Sequence, residues 1–183
     1  MKNFNKILFV CIAVFAISFS SCKKINPPIE EDPILGTWTL VDTQLEFASS
    51  NPMYAALLNQ FISVDELIEF PNPLIFNENG TGSGVTSFTT MQFDYIKTES
   101  QITFKKMAFY FGGNYGDDLI ADYQLLDNNK TLKMNLDVTT TAMPMLIQLL
   151  EFYLSIGEFP IPIDVESIVS SISKIECIVI YNK

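Results

Sequence analysis

The stretch GTWTLVDTQLE, residues 36–46, decides the fold that the sequence predicts. It is typical of a β-strand and carries Trp38, the only tryptophan among 183 residues. Further strand-like segments follow, mostly with short connections, at residues 74–76, 82–87, 93–97, 102–111, 119–126, 132–138 and 175–181. Strands joined in this way predict an eight-stranded up-and-down barrel, because closure removes the exposed edges of an open sheet.

Two hairpin turns mark the predicted strand order. Asn79-Gly80 lies between two strand-like segments and strongly favours a hairpin, because both central positions of the preferred turn require a positive φ. The polar stretch Asp127–Lys130 joins two later segments in the same way. In residues 132–138 apolar and polar side chains alternate, which predicts one buried face and one face in water.

A helix is predicted directly after the first strand. Asn51 and Pro52 provide an N-cap followed by proline at the first helical position. Apolar residues then recur at the spacing of one helical face, and they are Tyr54, Leu57, Leu58 and Phe61. The fold class is therefore mainly β, with this helix placed between strand one and strand two.

A helical insertion at about residues 141–173 precedes the last strand. From Met145 to Ile156 the polar residues share one helical stripe, and they are Gln148, Glu151 and Ser155. A second helix is predicted to begin at Asp164, whose side chain can cap it. A segment this apolar must be covered or must cover something. Three interpretations stay open: an extension of the core, a lid over an apolar cavity, or an apolar face against a membrane or protein partner.

Two motifs resemble one known family. Gly36-Thr37-Trp38 resembles the G-x-W signature of lipocalins, and residues 75–82 (IFNENGTG) are similar to a hairpin of bacterial lipocalin-like lipoproteins of the calycin type. The resemblance implies that Trp38 plugs the closed end of the barrel, with Gly36 where a bulky residue would clash.

The chain departs from the family pattern in two places. The arginine that lipocalins stack on the tryptophan is missing, which leaves Lys183 or Lys174 to take its place. Residues 121–123 (ADY) match a threonine-aspartate-tyrosine motif only loosely. Retinoid-type binding is therefore not implied.

The N-terminus predicts a lipoprotein signal peptide over residues 1–21. Lys2 and Lys6 precede an apolar run that ends at Phe19, which is the arrangement of a secretory signal. The run is shorter than the ~20 residues that span a bilayer. Phe19-Ser20-Ser21-Cys22 resembles a bacterial lipobox, which implies that Cys22 is lipidated and becomes the first residue of the mature protein.

Residues 22–34 are predicted to be a lipidated tether to a barrel domain at 35–183. Three prolines make the tether extended, and at ~3.1 Å per residue it reaches roughly 40 Å. In lipoproteins displayed on the cell surface acidic residues often follow the acylated cysteine, but here Lys23 and Lys24 follow it. We therefore expect an anchor in the outer membrane of a Gram-negative bacterium, with a periplasm-facing domain favoured over surface display.

Composition argues against most other functions. The formal net charge is −10, which disfavours nucleic-acid binding because that needs a basic patch. The chain has no histidine, so a histidine-activated nucleophile is excluded, and Cys177 alone cannot build a zinc site. No cofactor, metal or disulfide is expected, and the protein is predicted not to be an enzyme. Asp117-Asp118 and the Asp94/Glu99 region are the candidates for carboxylate chemistry, against the simpler interpretation of solvated turns.

The sequence thus predicts a lipid-anchored envelope protein that binds a small apolar or amphipathic molecule. Phe93, Tyr95, Phe104 and Met134 lie on apolar strand faces that converge inside a barrel, and they are the candidate ligand-binding residues. A non-enzymatic interaction module in an envelope complex is the alternative, and a carboxylate-dependent glycosidase is the third hypothesis.

Overall fold

The computed structural model describes residues 32–105, 118–157 and 164–183. The predicted signal peptide, Cys22 and the tether up to residue 31 lie outside the described residues, as do Asp117 and the second half of the predicted 102–111 strand. Pro33–Lys183 forms a unit of its own. The unit is mainly β and is built on a closed, antiparallel, eight-stranded barrel in which each strand pairs with its neighbours in sequence. The up-and-down barrel predicted from the sequence is therefore confirmed.

The strands vary greatly in length. They are β1 (Gly36–Ser49), β2 (Leu74–Phe76), β3 (Thr81–Val85), β4 (Thr90–Lys97), β5 (Gln101–Lys105), β6 (Leu119–Leu126), β7 (Thr131–Asp137) and β8 (Ile172–Asn182). β1 pairs with β8 from Thr39 to Ser49, and this pairing closes the barrel. On its other side β1 pairs with β2 only over Gly36–Trp38, because β2 has three residues. Along β1 from Trp38 towards Ser49, the wall between β1 and β3 is therefore built by other elements.

The two predicted hairpins are both present. In the turn after β6 the residues Asp127, Asn128 and Asn129 have φ values of 52°, 56° and 65°, a region that Asp and Asn tolerate better than most residues. In the turn after β2 only Gly80 of the Asn79-Gly80 pair has a positive φ, at 77°. The expectation of two positive φ values was wrong there. The loop is longer, and the side chain of Asn79 accepts a hydrogen bond from the N–H of Thr81 at 3.1 Å.

Within the described ranges, four helices lie at the end of the barrel where β1 finishes. They are α1 (Pro52–Phe61), α2 (Val64–Leu67), α3 (Thr139–Ile156) and α4 (Val165–Ser171). The predicted caps are confirmed, since Asn51 accepts from the N–H of Met53 at 3.0 Å and Asp164 accepts from that of Ser167 at 3.1 Å. None of the described helices combines the length and apolarity that a membrane span requires.

A single apolar core runs from the barrel interior into the helices. On β7 the inward residues Leu132, Met134 and Leu136 are at most 2% exposed, as the alternating pattern predicted. Leu58 of α1 and the inner residues of α3 belong to the same cluster. The helices therefore extend the core, which is the first interpretation of the insertion.

Candidate functional site

Trp38 closes the end of the barrel opposite the helices. The side chain is fully buried, and its Nε1 donates a hydrogen bond to the carbonyl of Ile34 at 2.7 Å. The ammonium of Lys183 lies 5.4 Å from the centre of the indole ring and donates to the carbonyl of Pro33 at 3.2 Å. Of the two lysines considered for this position Lys183 occupies it, whereas Lys174 pairs with Glu176 at 3.0 Å.

Gly36 allows this end to close. Its φ of 110° is a conformation that side-chain-bearing residues rarely adopt, and a Cβ at this position would lie 3.1 Å from Cε of Lys183. Gly36, Trp38 and Lys183 thus form a structural plug. This end holds the first described residues of the domain and offers no room for a ligand beside the indole.

Three of the four predicted ligand-binding residues meet at one aromatic cluster. Phe76 lies at its centre, with ring centres 6.0 Å from Phe93, 5.0 Å from Tyr95 and 6.1 Å from Phe104. The rings of Phe93 and Phe104 are 5.3 Å apart in an edge-to-face arrangement, which is a favourable geometry for aromatic pairs. Met134 lies on β7 and is paired with Tyr123 and Val179 instead.

These residues pack tightly against the protein itself. Phe93, Phe104 and Met134 expose 4%, 1% and 2% of their surface. Almost none of that surface is therefore accessible to a water-sized molecule, either from solvent or from a cavity inside the barrel. Tyr95 is half-buried, and its hydroxyl donates to the carbonyl of Asn77 at 2.8 Å. A ligand at Phe104 or Met134 would have to displace core side chains, whereas Phe93 also borders an open groove of about 370 Å³. Their ligand-binding role stays a prediction.

A cleft of about 440 Å³ opens where the barrel wall lacks a long second strand. We call it the wall cleft. β1, the segment from α2 to β2, and the end of β3 with its following turn each contribute to the lining, which consists of Leu40, Thr43, Asp65, Glu69, Phe70, Asn72, Val85, Thr86 and Ser87. Leu40 lies in the inward row of β1 that also carries Trp38, and the register shift between Leu40 and Asp42 returns Thr43 to the same row. The wall cleft therefore leads from solvent to the inner face of the barrel.

Polar side chains replace the missing strand along β1. The amide oxygen of Asn72 accepts from the N–H of Leu40 at 3.2 Å, and that of Asn59 accepts from the N–H of Phe47 at 2.9 Å. Backbone donors that a neighbouring strand would satisfy are thus satisfied by side chains. This arrangement protects the edge of β1 against pairing with another chain and leaves space between β1 and β3.

The polar part of the wall cleft is acidic. Asp65 and Glu69 line it, and no lysine is among its lining residues. One oxygen of Glu69 accepts from the N–H of Ser87 at 2.5 Å, which ties the β3–β4 turn to the segment after α2. The site can therefore offer carboxylate oxygens beside the apolar side chains of Leu40, Phe70 and Val85.

A neighbouring carboxylate, Glu66, joins two helices. Burial alone raises the pKa of Glu66, but hydrogen bonds from the hydroxyl of Tyr153 and from the N–H and hydroxyl of Ser63 together hold that pKa below its ordinary value. Tyr153 belongs to α3, so this contact attaches the insertion to α2. Glu66 has a structural role next to the wall cleft.

Sequence reasoning missed α2 and with it the acidic lining. Ser63 and Glu66 have the S-x-x-E spacing of a capping box, and both the N–H and the hydroxyl of Ser63 donate to Glu66, at 2.7 and 2.9 Å. That spacing could have located the helix. No local pattern indicates that Asp65 and Glu69 face the gap beside β1, because the gap results from the shortness of β2.

The other chemical candidates that lie among the described residues form no assembled site. Asp118 forms an ion pair with Lys105, and Asp94 is exposed on β4, while Asp117 lies outside the described residues. Burial, with a smaller contribution from Glu176, raises the pKa of the Cys177 thiol to about 12, so this thiol is unreactive in the fold. Within the described ranges no three metal-ligating side chains come together.

The fold and the wall cleft define a class of protein: a closed eight-stranded antiparallel barrel, capped by helices at one end, with a lateral opening in its wall. No protein-family model, curated protein or solved structure matches the chain.

Proposed function

We propose that this protein is a lipid-anchored binding protein of the bacterial cell envelope, and that it takes up a small amphipathic molecule in the wall cleft. The observation that carries this proposal is the cleft itself. At about 440 Å³ it falls in the range of about 300–1,000 Å³ that is typical of small-molecule sites. Its lining combines apolar walls with a few polar groups, which is also typical of such sites.

The packed interior supports the choice of the wall cleft over the barrel centre. Trp38, Tyr181 and Phe104 are among the largest side chains that are fully buried, and they fill the space between the strands. The wall cleft by contrast is open to solvent, and Val85 in its lining is 42% exposed. A ligand can enter it without displacing the core.

A substitution that fills the cleft tests the proposal. Val85→Trp places a large ring at the mouth, and Ile120→Trp makes a similar change on the outer face of β6, where the parent residue is 53% exposed. We expect decanol, added below its solubility limit to the chain from Lys23 onward, to bind the parent and the Ile120→Trp variant but not the Val85→Trp variant. Calorimetric titration measures this. Equal binding to all three proteins would contradict the proposal.

The lipid anchor is tested separately. The lipobox resemblance at Cys22 supports acylation, and the tether would hold the barrel close to the outer membrane. Labelled palmitate should be incorporated into the parent chain and not into a Cys22→Ser variant. Labelling that persists in the variant would show that another residue carries the acyl group, and an unlabelled parent chain would show that there is no acyl anchor.

A second candidate function is a protein-interaction module, which one observation favours. Phe152 and Ile156 are 55% and 47% exposed and lie one turn apart on α3, at the end of the barrel far from Pro33. Such apolar exposure is a feature of partner surfaces. A Phe152→Ser/Ile156→Ser variant should then lose a crosslinked envelope partner while it still binds decanol. Unchanged crosslinking would remove this candidate.

A further inference from the structure

We infer that the wall cleft selects cationic amphiphiles over anionic ones of the same chain length. This inference rests on the proposed function, because it names the class of ligand that the same cleft takes. It follows from the position of two carboxylates relative to three apolar side chains. It also excludes fatty acids as the preferred ligands, although they are the usual probes for apolar sites.

The first step concerns the charges in the cleft. Asp65 and Glu69 are its charged lining residues, and both are acidic. Among the described residues, the carboxylate of Glu69 accepts a hydrogen bond only from a neutral group, the backbone N–H of Ser87, which brings no compensating positive charge. Within the described part of the chain, the carboxylate of Asp65 forms no ion pair and accepts no hydrogen bond. The cleft therefore carries two negative charges with no cationic side chain in its lining.

The second step concerns the surroundings. Asp42 lies on β1 between the two β1 residues that line the cleft, and its carboxylate accepts from the N–H of Thr43 at 2.9 Å. The whole chain has a formal net charge of −10. The local and the overall field thus have the same sign. An approaching carboxylate is repelled, and an approaching ammonium group is attracted.

The third step concerns the apolar part. Leu40, Phe70 and Val85 come from three different segments and converge on the same cleft as the two carboxylates. Leu40 faces the inside of the barrel, and Phe70 is 6% exposed. A molecule with an alkyl chain and a positive head can bury the chain against these residues while the head meets Asp65 and Glu69. An alkyl carboxylate would place its charge against theirs.

Three probes with the same alkyl chain separate charge from apolarity. They are decyltrimethylammonium, decanol and decanoate, each used below its micelle or solubility limit and titrated calorimetrically into the chain from Lys23 onward. We expect the cation to bind about tenfold more tightly than decanoate at low ionic strength, since two exposed charge pairs together contribute on that scale. The preference should shrink as salt is added, because salt screens exposed charges.

Charge-neutral variants identify the residues responsible. Asp65→Asn combined with Glu69→Gln keeps both side-chain shapes and the acceptor for Ser87, and it should bring the affinities for the cation and the anion close together. Asp65→Asn alone, at a side chain with no described hydrogen bond, should give about half of this effect on a logarithmic scale. Glu166→Gln is the matched control, because Glu166 is also acidic, lies in the first turn of a short helix and is outside the cleft.

The outcomes separate the two proposals. If decanol or decanoate binds as tightly as the cation, charge selection is wrong and amphiphile binding stands. If Glu166→Gln reduces the preference as much as the double variant, the overall charge of the protein is responsible, and the assignment to Asp65 and Glu69 is overturned. If none of the probes binds, or Val85→Trp has no effect, the proposed function itself fails.

Discussion

The two ends of the β1 strand are closed by different means. At the Trp38 end an indole fills the barrel, a lysine covers it, and β2 and β8 pair with β1 on either side. Beyond Trp38 one side of β1 has amide side chains from Asn59 and Asn72 in place of a strand. The first arrangement leaves no room, and the second leaves a cleft of about 440 Å³.

This difference shows how a barrel can be firmly closed at one end and still have an open cleft in its wall. The closed end is held by apolar burial, which contributes most of the free energy of folding in proteins. The wall beside β1 also buries apolar residues such as Leu67 and Ile68, but its contacts with the backbone of β1 include single hydrogen bonds, each worth about 1 kcal/mol. The tightly packed part and the open part thus lie at different ends of one strand. Substitutions at the two ends should therefore change the free energy of unfolding by different amounts.

The largest effect is expected at the plug. Trp38→Ala should lower the free energy of unfolding by about 3–5 kcal/mol, as truncation of a large buried aromatic residue does. Phe152→Ala is the control, because Phe152 is 55% exposed and its loss should change stability by less than about 0.5 kcal/mol. Urea denaturation measures both. A loss below about 1 kcal/mol for Trp38→Ala would mean that the indole does not close the barrel.

A smaller effect is expected where side chains replace a strand. Asn59→Ala leaves the partly buried N–H of Phe47 without its acceptor, which should cost about 1–2 kcal/mol. Asn59→Asp keeps an oxygen in the same place and should recover most of that loss. If the Asn59→Ala and Asn59→Asp variants are equally stable, the packing of α1, and not the hydrogen bond, closes this part of the wall.

The same comparison explains how much could be predicted. Strand order, both hairpins, the N-caps at Asn51 and Asp164 and the burial of Trp38 follow from short motifs and alternation, which are local properties. The wall cleft depends on β2 having three residues while β1 has 14, and on which side chains then reach across. Such long-range packing leaves no periodic pattern, so Asp65 and Glu69 could not be found from sequence spacing.

The contact between α2 and α3 should make stability depend on pH. The pKa of Glu66 is lower in the folded protein than its ordinary value, so the unfolded chain binds the proton more readily and stability is lost as pH falls through this region. Tyr153→Phe removes one donor to the carboxylate. It should cost about 1 kcal/mol at pH 7 and less at acidic pH, as the carboxyl group becomes protonated.

Urea denaturation at several pH values between about 3 and 7 checks this prediction. The Tyr153→Phe variant should show a shallower decrease in stability below about pH 5 than the parent does. Parallel curves would show that the hydroxyl of Tyr153 does not act on the ionised form of Glu66. The role of this contact in holding the insertion on the barrel would then be limited to packing.

The smallest effect is expected at Lys183, and it tests whether charge matters at the closed end at all. The ammonium is exposed and lies 5.4 Å from the centre of the Trp38 ring, and a cation–π contact of this kind contributes about 0.5–1 kcal/mol. Lys183→Met keeps an apolar chain over the indole but removes the charge and the donor to Pro33.

Lys183→Met should therefore lower the free energy of unfolding by about 0.5–1 kcal/mol, and Lys183→Arg should retain the parent value, because a guanidinium also stacks on an indole. Lys174→Met removes the same charge from β8 at a residue that pairs with Glu176, and an exposed pair of that kind contributes little. If both methionine variants lose the same amount, net charge and not the indole explains the change. A loss specific to Lys183 would show that the plug is an apolar core with a cation above it.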